Sequence, residues 1–364
     1  MSFTAFLAAR ALAQDAPLPP PPPPPPSQEE IDQLLREAEA EAGQPAPPPP
    51  PPRGGANLLN PGITAFGDVV GQVGLGPDGL APGSTMYLRS AEIELRADVD
   101  PFAKAGAVIA FEQEAPDLAG GPGEGFEVGP EEAYIDLVAL PARLSLRAGK
   151  FKLPFGTVNR THPHDLPWID VPPSIEILGE EGLNDTGASV GWLLPLGPAA
   201  LTLTAGAFSG EAFDEDNLRA NIAALGRAEL FVGAGSVDIA LGGSAYGDPA
   251  TGDDPLAGVD LTFKWRGSTR QSVVLVGEAF RDAAGALAGY GAIQVQPARM
   301  IYVGFREDVG DELVHNLYLS YYTSEFLRVR VGGGFAPSSG TGTALAQLTF
   351  VWGAHPVEPW WVNR

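Results

Sequence analysis

Residues 87–99 read YLRSAEIELRADV, in which apolar and polar side chains alternate with a period of two. Successive side chains of a β-strand point to opposite faces, so this segment has one apolar face and one charged face. The apolar face carries Ala91, Ile93, Leu95, Ala97 and Val99, and the charged face carries Ser90, Glu92, Glu94, Arg96 and Asp98. The same period returns at 259–266, VDLTFKWR, and at 347–352, QLTFVW.

Sixteen runs of this kind follow one another through the body of the chain. Their approximate bounds are 63–75, 86–99, 101–115, 126–140, 142–155, 186–195, 199–209, 221–232, 235–246, 258–267, 271–281, 287–296, 299–308, 313–323, 327–336 and 342–353. Longer connections alternate with tight turns, which is typical of an up-and-down antiparallel barrel with short turns at one end and longer loops at the other. The sequence therefore predicts an all-β transmembrane barrel of about sixteen strands over residues 55–364.

Two other interpretations of the same pattern are disfavoured. A soluble β-sandwich also alternates, but sixteen strands with charges on one face make a poor soluble core, whereas a closed barrel in lipid leaves a polar lumen. Residues 186–210 carry no charge and could pass for a membrane helix. Pro195, Gly197 and Pro198 would break such a helix, so we predict a hairpin there.

Composition excludes several classes of function. The 364-residue chain has no cysteine, which excludes disulfides, thiolate metal sites and a cysteine nucleophile. Its formal net charge of -23 disfavours nucleic acid as a partner. No histidine falls on a lumen-facing run beside a serine and an acid, so we expect neither an enzyme nor a cofactor.

The N-terminal region predicts export and a spacer. Residues 1–13 resemble a signal peptide cleaved before Gln14. No basic residue precedes the apolar run and Arg10 interrupts it, so a truncated start and a frayed apolar terminus stay open as interpretations. Residues 14–54 form a Pro-rich periplasmic segment with tracts at 17–26 and 45–52.

Between the two tracts we predict one short amphipathic α-helix at 28–42, with Ser27 as its N-cap. This helix is too short to be stable alone. It could form a small trimeric coiled coil, dock on a periplasmic or cell-wall partner, or act as a solvated spacer.

A specific resemblance lies at 147–156, RAGKFKLPFG, where a strand leads into a long loop. This stretch resembles the GKFKxPFG signature of the phosphate-selective porin O/P-like outer-membrane β-barrel family, within the general bacterial porins. The resemblance implies a homotrimer with an anion-preferring, lysine-rich constriction. Only Lys104, Lys150, Lys152 and Lys264 occur here, so we do not expect phosphate selectivity.

Charges on the predicted lumen-facing positions balance, with ten acids and ten bases. Mixed rows of opposite charge favour small polar solutes over apolar ones. The surplus acids lie in the long loops, where they would concentrate cations or bind divalent ions that bridge anionic lipopolysaccharide. The residues predicted to line the pore are Glu92, Glu94, Arg96, Glu132, Asp136, Arg143, Arg147, Lys264, Arg266, Arg306, Arg328 and Arg330.

The connection at 157–185 is the longest in the predicted barrel. A structureless segment of this length is uncommon unless it is functional. Its prolines limit flexibility and its apolar side chains favour packing against the inner wall, so we predict a constriction loop, with an external lid as the alternative. The residues predicted at the constriction are Arg160, His162, His164, Asp165 and Asp170.

Zinc binding by His162, His164 and Asp165 is a weaker hypothesis than a polar loop cluster, although imidazole and carboxylate suit that metal. The leading functional hypothesis is a passive diffusion porin of the outer membrane with a mild cation preference, in contact with lipid and lipopolysaccharide. The alternative is a structural anchor that tethers the envelope through residues 28–42.

Overall fold

The computed structural model describes residues 61–353 and 359–363, apart from gaps at 78, 114, 117–122, 124, 139, 180–181, 211–221 and 251–253. The chain divides into two units, residues 1–56 and 57–364, and all the described residues belong to the second unit. The predicted signal peptide, Pro-rich segment and helix at 28–42 lie outside the described residues.

Period-two alternation produces long antiparallel strands joined to their sequence neighbours. They are β1 (Gly62–Gly76), β2 (Gly79–Leu80), β3 (Thr85–Asp100), β4 (Ala103–Glu112), β5 (Glu127–Leu137), β6 (Leu144–Lys152), β7 (Asn184–Leu196), β8 (Ala199–Phe208), β9 (Ala223–Ala234), β10 (Val237–Gly247), β11 (Leu256–Ser268), β12 (Gln271–Arg281), β13 (Leu287–Ala298), β14 (Ile301–Val309), β15 (Leu313–Ser324), β16 (Leu327–Ala336) and β17 (Thr341–Gly353). In the part of the chain that the structure describes, short 3-10 turns lie at Pro141–Arg143, Pro163–Asp165 and Pro173–Leu178. Within the described residues, no helix is long and apolar enough to cross a membrane.

The sheet closes on itself. β1 pairs with β3, where Gly62 opposes Arg96, and on its other edge with β17, where Thr64 opposes Gly353. β2 is a two-residue extension of the β1 hairpin, so sixteen long strands form the wall. The predicted sixteen-strand antiparallel barrel is confirmed. The predicted hairpin at 186–210 is also confirmed, with Gly197 at φ 71° in its turn.

The outer face of the barrel is apolar and the inner face is polar. On β11, Val259 is 59% exposed and Leu261 is 46% exposed, while Asp260 between them is 4% exposed. The same outward apolar positions recur on the other strands, for example at Ile293 and Leu317. Large apolar side chains are exposed on all the long strands except β6, which fits a lipid environment, and their inward neighbours fit a polar lumen.

A buried apolar cluster lies between the connection from β6 to β7 and the wall. Leu153, Phe155, Leu166 and Trp168 of that connection are all nearly inaccessible to solvent. They pack with side chains of the wall strands, which include Phe208, Tyr246, Val276, Phe280, Tyr290 and Tyr318. Part of the lumen is therefore filled by protein.

Candidate functional site: the lumen and the segments inside it

The connection from β6 to β7, residues 153–183, is called the inner segment here. It contacts strands that lie far apart around the wall. Val158 N donates to Glu278 Oε1 of β12 at 2.8 Å, and Arg160 Nη2 lies 3.1 Å from Glu229 Oε2 of β9. It also contacts Arg89 of β3 and Arg306 of β14. These partners are inward-facing side chains of the wall, so the inner segment lies within the barrel.

Glu278 fixes the start of the inner segment. Its carboxylate accepts hydrogen bonds from the backbone N–H groups of Thr157 (3.0 Å) and Val158 (2.8 Å) and from the Tyr290 hydroxyl (2.6 Å). Gly156 has a φ of 63°, and a Cβ at that position would come within 2.0 Å of Glu278 Oε2. The glycine of the GKFKxPFG-like stretch is thus required by both the turn and the carboxylate beneath it.

Asp170 fixes the middle of the inner segment to β14 and β15. Its Oδ2 lies 2.7 Å from Arg306 Nη2, and its Oδ1 accepts a hydrogen bond from the Tyr318 hydroxyl at 2.5 Å. Arg306 also pairs with Asp308 at 2.8 Å, and its guanidinium lies over the Trp168 ring. The Arg306 side chain is completely buried by these contacts.

Backbone carbonyls of the inner segment are held by two further arginines. Arg330 of β16 donates to the carbonyl oxygens of Leu166, Trp168 and His164. Arg89 of β3 donates to the carbonyl oxygen of Ile169 and to Asp68 Oδ2. These arginines hold the inner segment against the wall on the β1–β3 and β16 side.

Residues 359–363, called the terminal segment here, also lie inside the barrel. Trp361 is 0% exposed and packs edge-on against Tyr302 and Tyr322. Its indole Nε1 donates to the carbonyl oxygen of Asp165 at 2.6 Å, which joins the two internal segments.

Strand residues at the short-turn end hold the terminal segment. Lys264 Nζ donates to the carbonyl oxygens of Trp360 (3.0 Å) and Val362 (2.9 Å). Asn363 Nδ2 donates to the carbonyl oxygen of Ser268 at 2.8 Å, beside the turn between β11 and β12. The terminal segment therefore occupies the short-turn end of the lumen.

Because of these contacts, several residues that were predicted to line the pore do not border open space. Arg306, Arg328 and Arg330 face the interior, but they are buried beneath the internal segments or among tyrosines and do not border open space. Lys264 holds the terminal segment. Arg143 lies exposed in the turn Pro141–Arg143 rather than on a strand.

Inward charges that stay accessible form acid–base pairs on β3–β6, between β10 and β11, and between the inner segment and β9. Each pair joins an acid to a neighbouring base. The pairs are Glu94 with Arg96 (Nε to Oε1, 2.6 Å), Asp98 with Lys104 (3.8 Å), Asp136 with Arg147 (2.7 Å), Asp238 with Arg266 (2.6 Å) and Glu229 with Arg160 (3.1 Å).

A cavity of about 700 Å³ lies near the long connection between β4 and β5. It lies between the inner segment and strands β3, β4 and β5. Its charged lining includes Arg89, Glu127, Glu131 and Lys152.

A buried charged cluster joins the inner segment to β3, β5 and β6 at the edge of this cavity. His162 Nδ1 lies 3.2 Å from Glu131 Oε2, His164 Nδ1 lies 3.0 Å from Glu92 Oε1, and Lys152 Nζ lies 2.8 Å from Glu131 Oε1. The two imidazole rings stack with centroids 5.5 Å apart.

Burial alone would lower the pKa of both imidazoles. The carboxylates of Glu131, Glu132 and Glu92 nevertheless raise the pKa of His162 well above its ordinary value. Glu92 and Asp165 likewise raise the pKa of His164. The neighbouring carboxylates therefore favour the protonated form of both rings, whose positive charge balances part of the carboxylate charge.

The structure does not bring His162, His164 and Asp165 together as the zinc hypothesis predicts. Asp165 Oδ2 approaches His164 Nε2 at 3.6 Å, and its backbone carbonyl accepts from Trp361, but His162 instead faces Glu92, Glu131 and Glu132. Sequence reasoning missed Glu131 because strict alternation turns it away from the lumen. The register between β4 and β5 shifts there, with Val108 opposite Glu132 and Ile109 opposite Pro130, so Glu131 and Glu132 both reach the cluster.

No protein-family model matches the chain. An uncharacterized protein of Aquifex aeolicus is 33% identical over 124 residues, which are 34% of this chain. The match spans 24% of that relative's length.

Solved structures resemble the barrel. OmpF of Salmonella typhi, in complex with daunomycin, aligns with a TM-score of 0.52 and 10% identity over 80% of this chain and 97% of that chain. A loop L8 deletion mutant of OmpT, an outer-membrane protein of Vibrio cholerae, aligns with a TM-score of 0.50 and 10% identity over 80% of this chain and 99% of that chain. The fold is that of bacterial outer-membrane porins.

Proposed function

We propose that this protein is a passive diffusion channel of the bacterial outer membrane for ions and small hydrophilic solutes. The observation that carries the proposal is the uneven filling of the lumen. The inner and terminal segments cover the wall around Arg306 and Arg330 and also parts of β3, β10 and β11, whereas accessible charge pairs remain on β3–β6 and a cavity of about 700 Å³ lies against β3–β5. We place a water-filled path between the two ends of the barrel along β3–β6 and past Glu229 of β9.

The lining of this path suits small polar solutes. Opposite charges stand next to each other in every accessible pair, so the wall has little net charge and strong local fields. Such fields orient water and polar solutes and give apolar molecules no favourable contact. Arg160 and Glu229 form the pair at which the inner segment approaches β9, and we place the narrowest point there.

We attribute a mild cation preference to the acidic long loops at the mouth of the barrel rather than to the charges on the lumen wall. The sequence carries 45 Asp plus Glu against 22 Lys plus Arg, and the surplus acids cluster in the long loops. A negative mouth raises the local cation concentration. The paired wall adds little to this preference.

Phosphate selectivity does not fit the same geometry, although the GKFKxPFG-like stretch supports a relationship to the phosphate-selective porin O/P-like family. A lysine-rich constriction needs ammonium groups that are accessible to an anion. Lys152 is paired with buried Glu131, and Lys264 is held by two carbonyl oxygens. We adopt from that family the proposal of a homotrimer, which cross-linking in membranes tests, and not its anion preference.

The filled part of the lumen favours a second candidate function. A barrel in which the internal segments block every path would serve as an anchor, with residues 14–54 as an envelope tether. Recording from the purified full-length chain in planar bilayers separates the two functions. Stable ohmic current steps support the channel, and a folded, heat-modifiable barrel that gives no steps supports the anchor.

A further inference from the structure

Three side chains at the junction of the inner segment with β3 and β5 aim ligand atoms at one point. Glu92, Glu131 and His162 each offer one ligand atom, and these three atoms lie within 4.8 Å of one another. His162 Nδ1 is 3.6 Å from Glu92 Oε2 and 3.2 Å from Glu131 Oε2. Ligand atoms about 2.0–2.1 Å from a tetrahedral zinc ion stand about 3.3 Å apart, so these separations match a metal coordination shell.

Two of these atoms are buried and make no hydrogen bond of good geometry. Glu131 Oε2 and His162 Nδ1 are both inaccessible to solvent and face each other at 3.2 Å. The His162 and Glu131 side chains are 19% and 8% exposed. Buried polar atoms are normally satisfied, and an ion bound between these two would satisfy both.

The other polar atom of each ligand residue faces a neighbouring group. Glu92 Oε1 lies 3.0 Å from His164 Nδ1, and Glu131 Oε1 lies 2.8 Å from Lys152 Nζ. His162 Nε2 faces Glu132 Oε2 at 3.7 Å. A carboxylate behind a ligating imidazole is the usual support of a metal-binding histidine.

We propose that Glu92, Glu131 and His162 bind a divalent transition-metal ion with the ligand preferences of Zn²⁺, with water completing the shell. The ion replaces the proton on His162 Nδ1. It fastens the inner segment to β3 and β5 beside the open side of the lumen. The proposal is independent of whether the barrel conducts.

The opposing view is that the cluster needs no metal, because the charges of three carboxylates are already compensated by two imidazoles and Lys152. Metal analysis of the purified full-length chain, loaded with Zn²⁺ at pH 8 and desalted, decides between them. We expect about one Zn²⁺ per chain. Glu131→Gln and His162→Asn should each weaken binding by more than about tenfold, since each removes one ligand, and Glu132→Gln should weaken it by about tenfold through the support of His162.

His315→Asn is the matched control, because His315 pairs with Glu307 at 3.0 Å on an exposed part of β15. It should bind Zn²⁺ like the unmodified chain. Equal binding by the His162→Asn and His315→Asn variants would overturn the proposal. Zinc X-ray absorption of the unmodified chain needs no variant to fold, and a first shell of oxygen atoms without an imidazole would overturn it as well.

Discussion

Asp260 and Leu261 show at the residue scale how the environment of one strand position differs from that of the next. Leu261 is 46% exposed on the outer face, and its neighbour Asp260 is buried inside beside Arg227. Arg227 Nη1 lies 2.7 Å from Asp260 Oδ2. The alternation places lipid contact and a buried ion pair on adjacent residues of the same strand.

Leu261→Arg should destabilise the barrel by about 2–4 kcal/mol, because it places a charge near the middle of the apolar belt. Thr262→Arg, one position along, should be tolerated and should change conductance. Denaturant unfolding in lipid vesicles, together with the yield of heat-modifiable barrel, measures the difference. Equal stability of the two variants would reject the register of β11.

Asp170→Ala should destabilise the barrel by about 1–3 kcal/mol, because it leaves the Tyr318 hydroxyl without its acceptor and removes one of the two carboxylates that pair with buried Arg306. The control is Asp254→Ala, which removes the exposed pair with Arg281 and should change stability by about 0.5 kcal/mol or less. Unfolding midpoints measured side by side give the comparison. If both variants lose the same small amount of unfolding free energy, Asp170 does not hold the inner segment.

At the scale of elements, the sequence predicts the strands better than what fills the barrel. Each wall strand overlaps a predicted run, with bounds that differ by at most three residues, because period two reports the faces of a strand directly. Apolar Trp168 and Ile169 indicated that the inner segment packs inside. Alternation shows that a side chain faces the lumen, but it does not show whether water or packed protein lies next to that side chain. Arg306 and Arg330 were therefore predicted to line the pore. It also gave no signal for the terminal segment, whose place depends on contacts with Tyr302 and Lys264 far along the chain.

Deleting residues 162–178 should raise conductance and reduce the cation preference. The deletion opens the packed side of the lumen and removes the carbonyl partners of Arg330 and the Asp170 partner of Arg306, so positive charge becomes accessible. Shortening the exposed connection at 282–286 is the control. Single-channel conductance and reversal potential are the readouts, and an intact barrel with unchanged values would contradict a role of the inner segment in the pore.

Removing residues 359–364 should also raise conductance, by less than the inner-segment deletion, because it opens only the short-turn end. Trp361→Ala tests the same segment with one substitution, since Trp361 is its fully buried anchor. Conductance that stays constant in both variants would show that the terminal segment does not obstruct the path.

At the scale of the whole molecule, the charge distribution separates wall from mouth. The accessible wall charges occur in acid–base pairs, and the net charge of -23 comes largely from acids in the long loops. The mouth should therefore govern ion preference, and the lumen should govern which solutes fit.

The cation preference should weaken as salt rises. Mouth charges are exposed, and salt screens them over a Debye length of about 10 Å at 0.1 M and about 3 Å at 1 M. Reversal potentials measured across a salt gradient at low and high mean salt give the dependence. A strong anion preference at low salt would instead support the phosphate-selective family's behaviour.

The proposed path along β3–β6 and past Glu229 of β9 is tested most directly by thiol modification during single-channel recording, because the chain has no cysteine of its own. Glu229→Cys places a thiol on the open side, and Gln294→Cys places one on the packed side, where Gln294 is buried. A bulky water-soluble thiol reagent should lower the current through the Glu229→Cys channel and leave the Gln294→Cys channel unchanged. Block of both channels alike, or of the Gln294→Cys channel alone, would contradict the path.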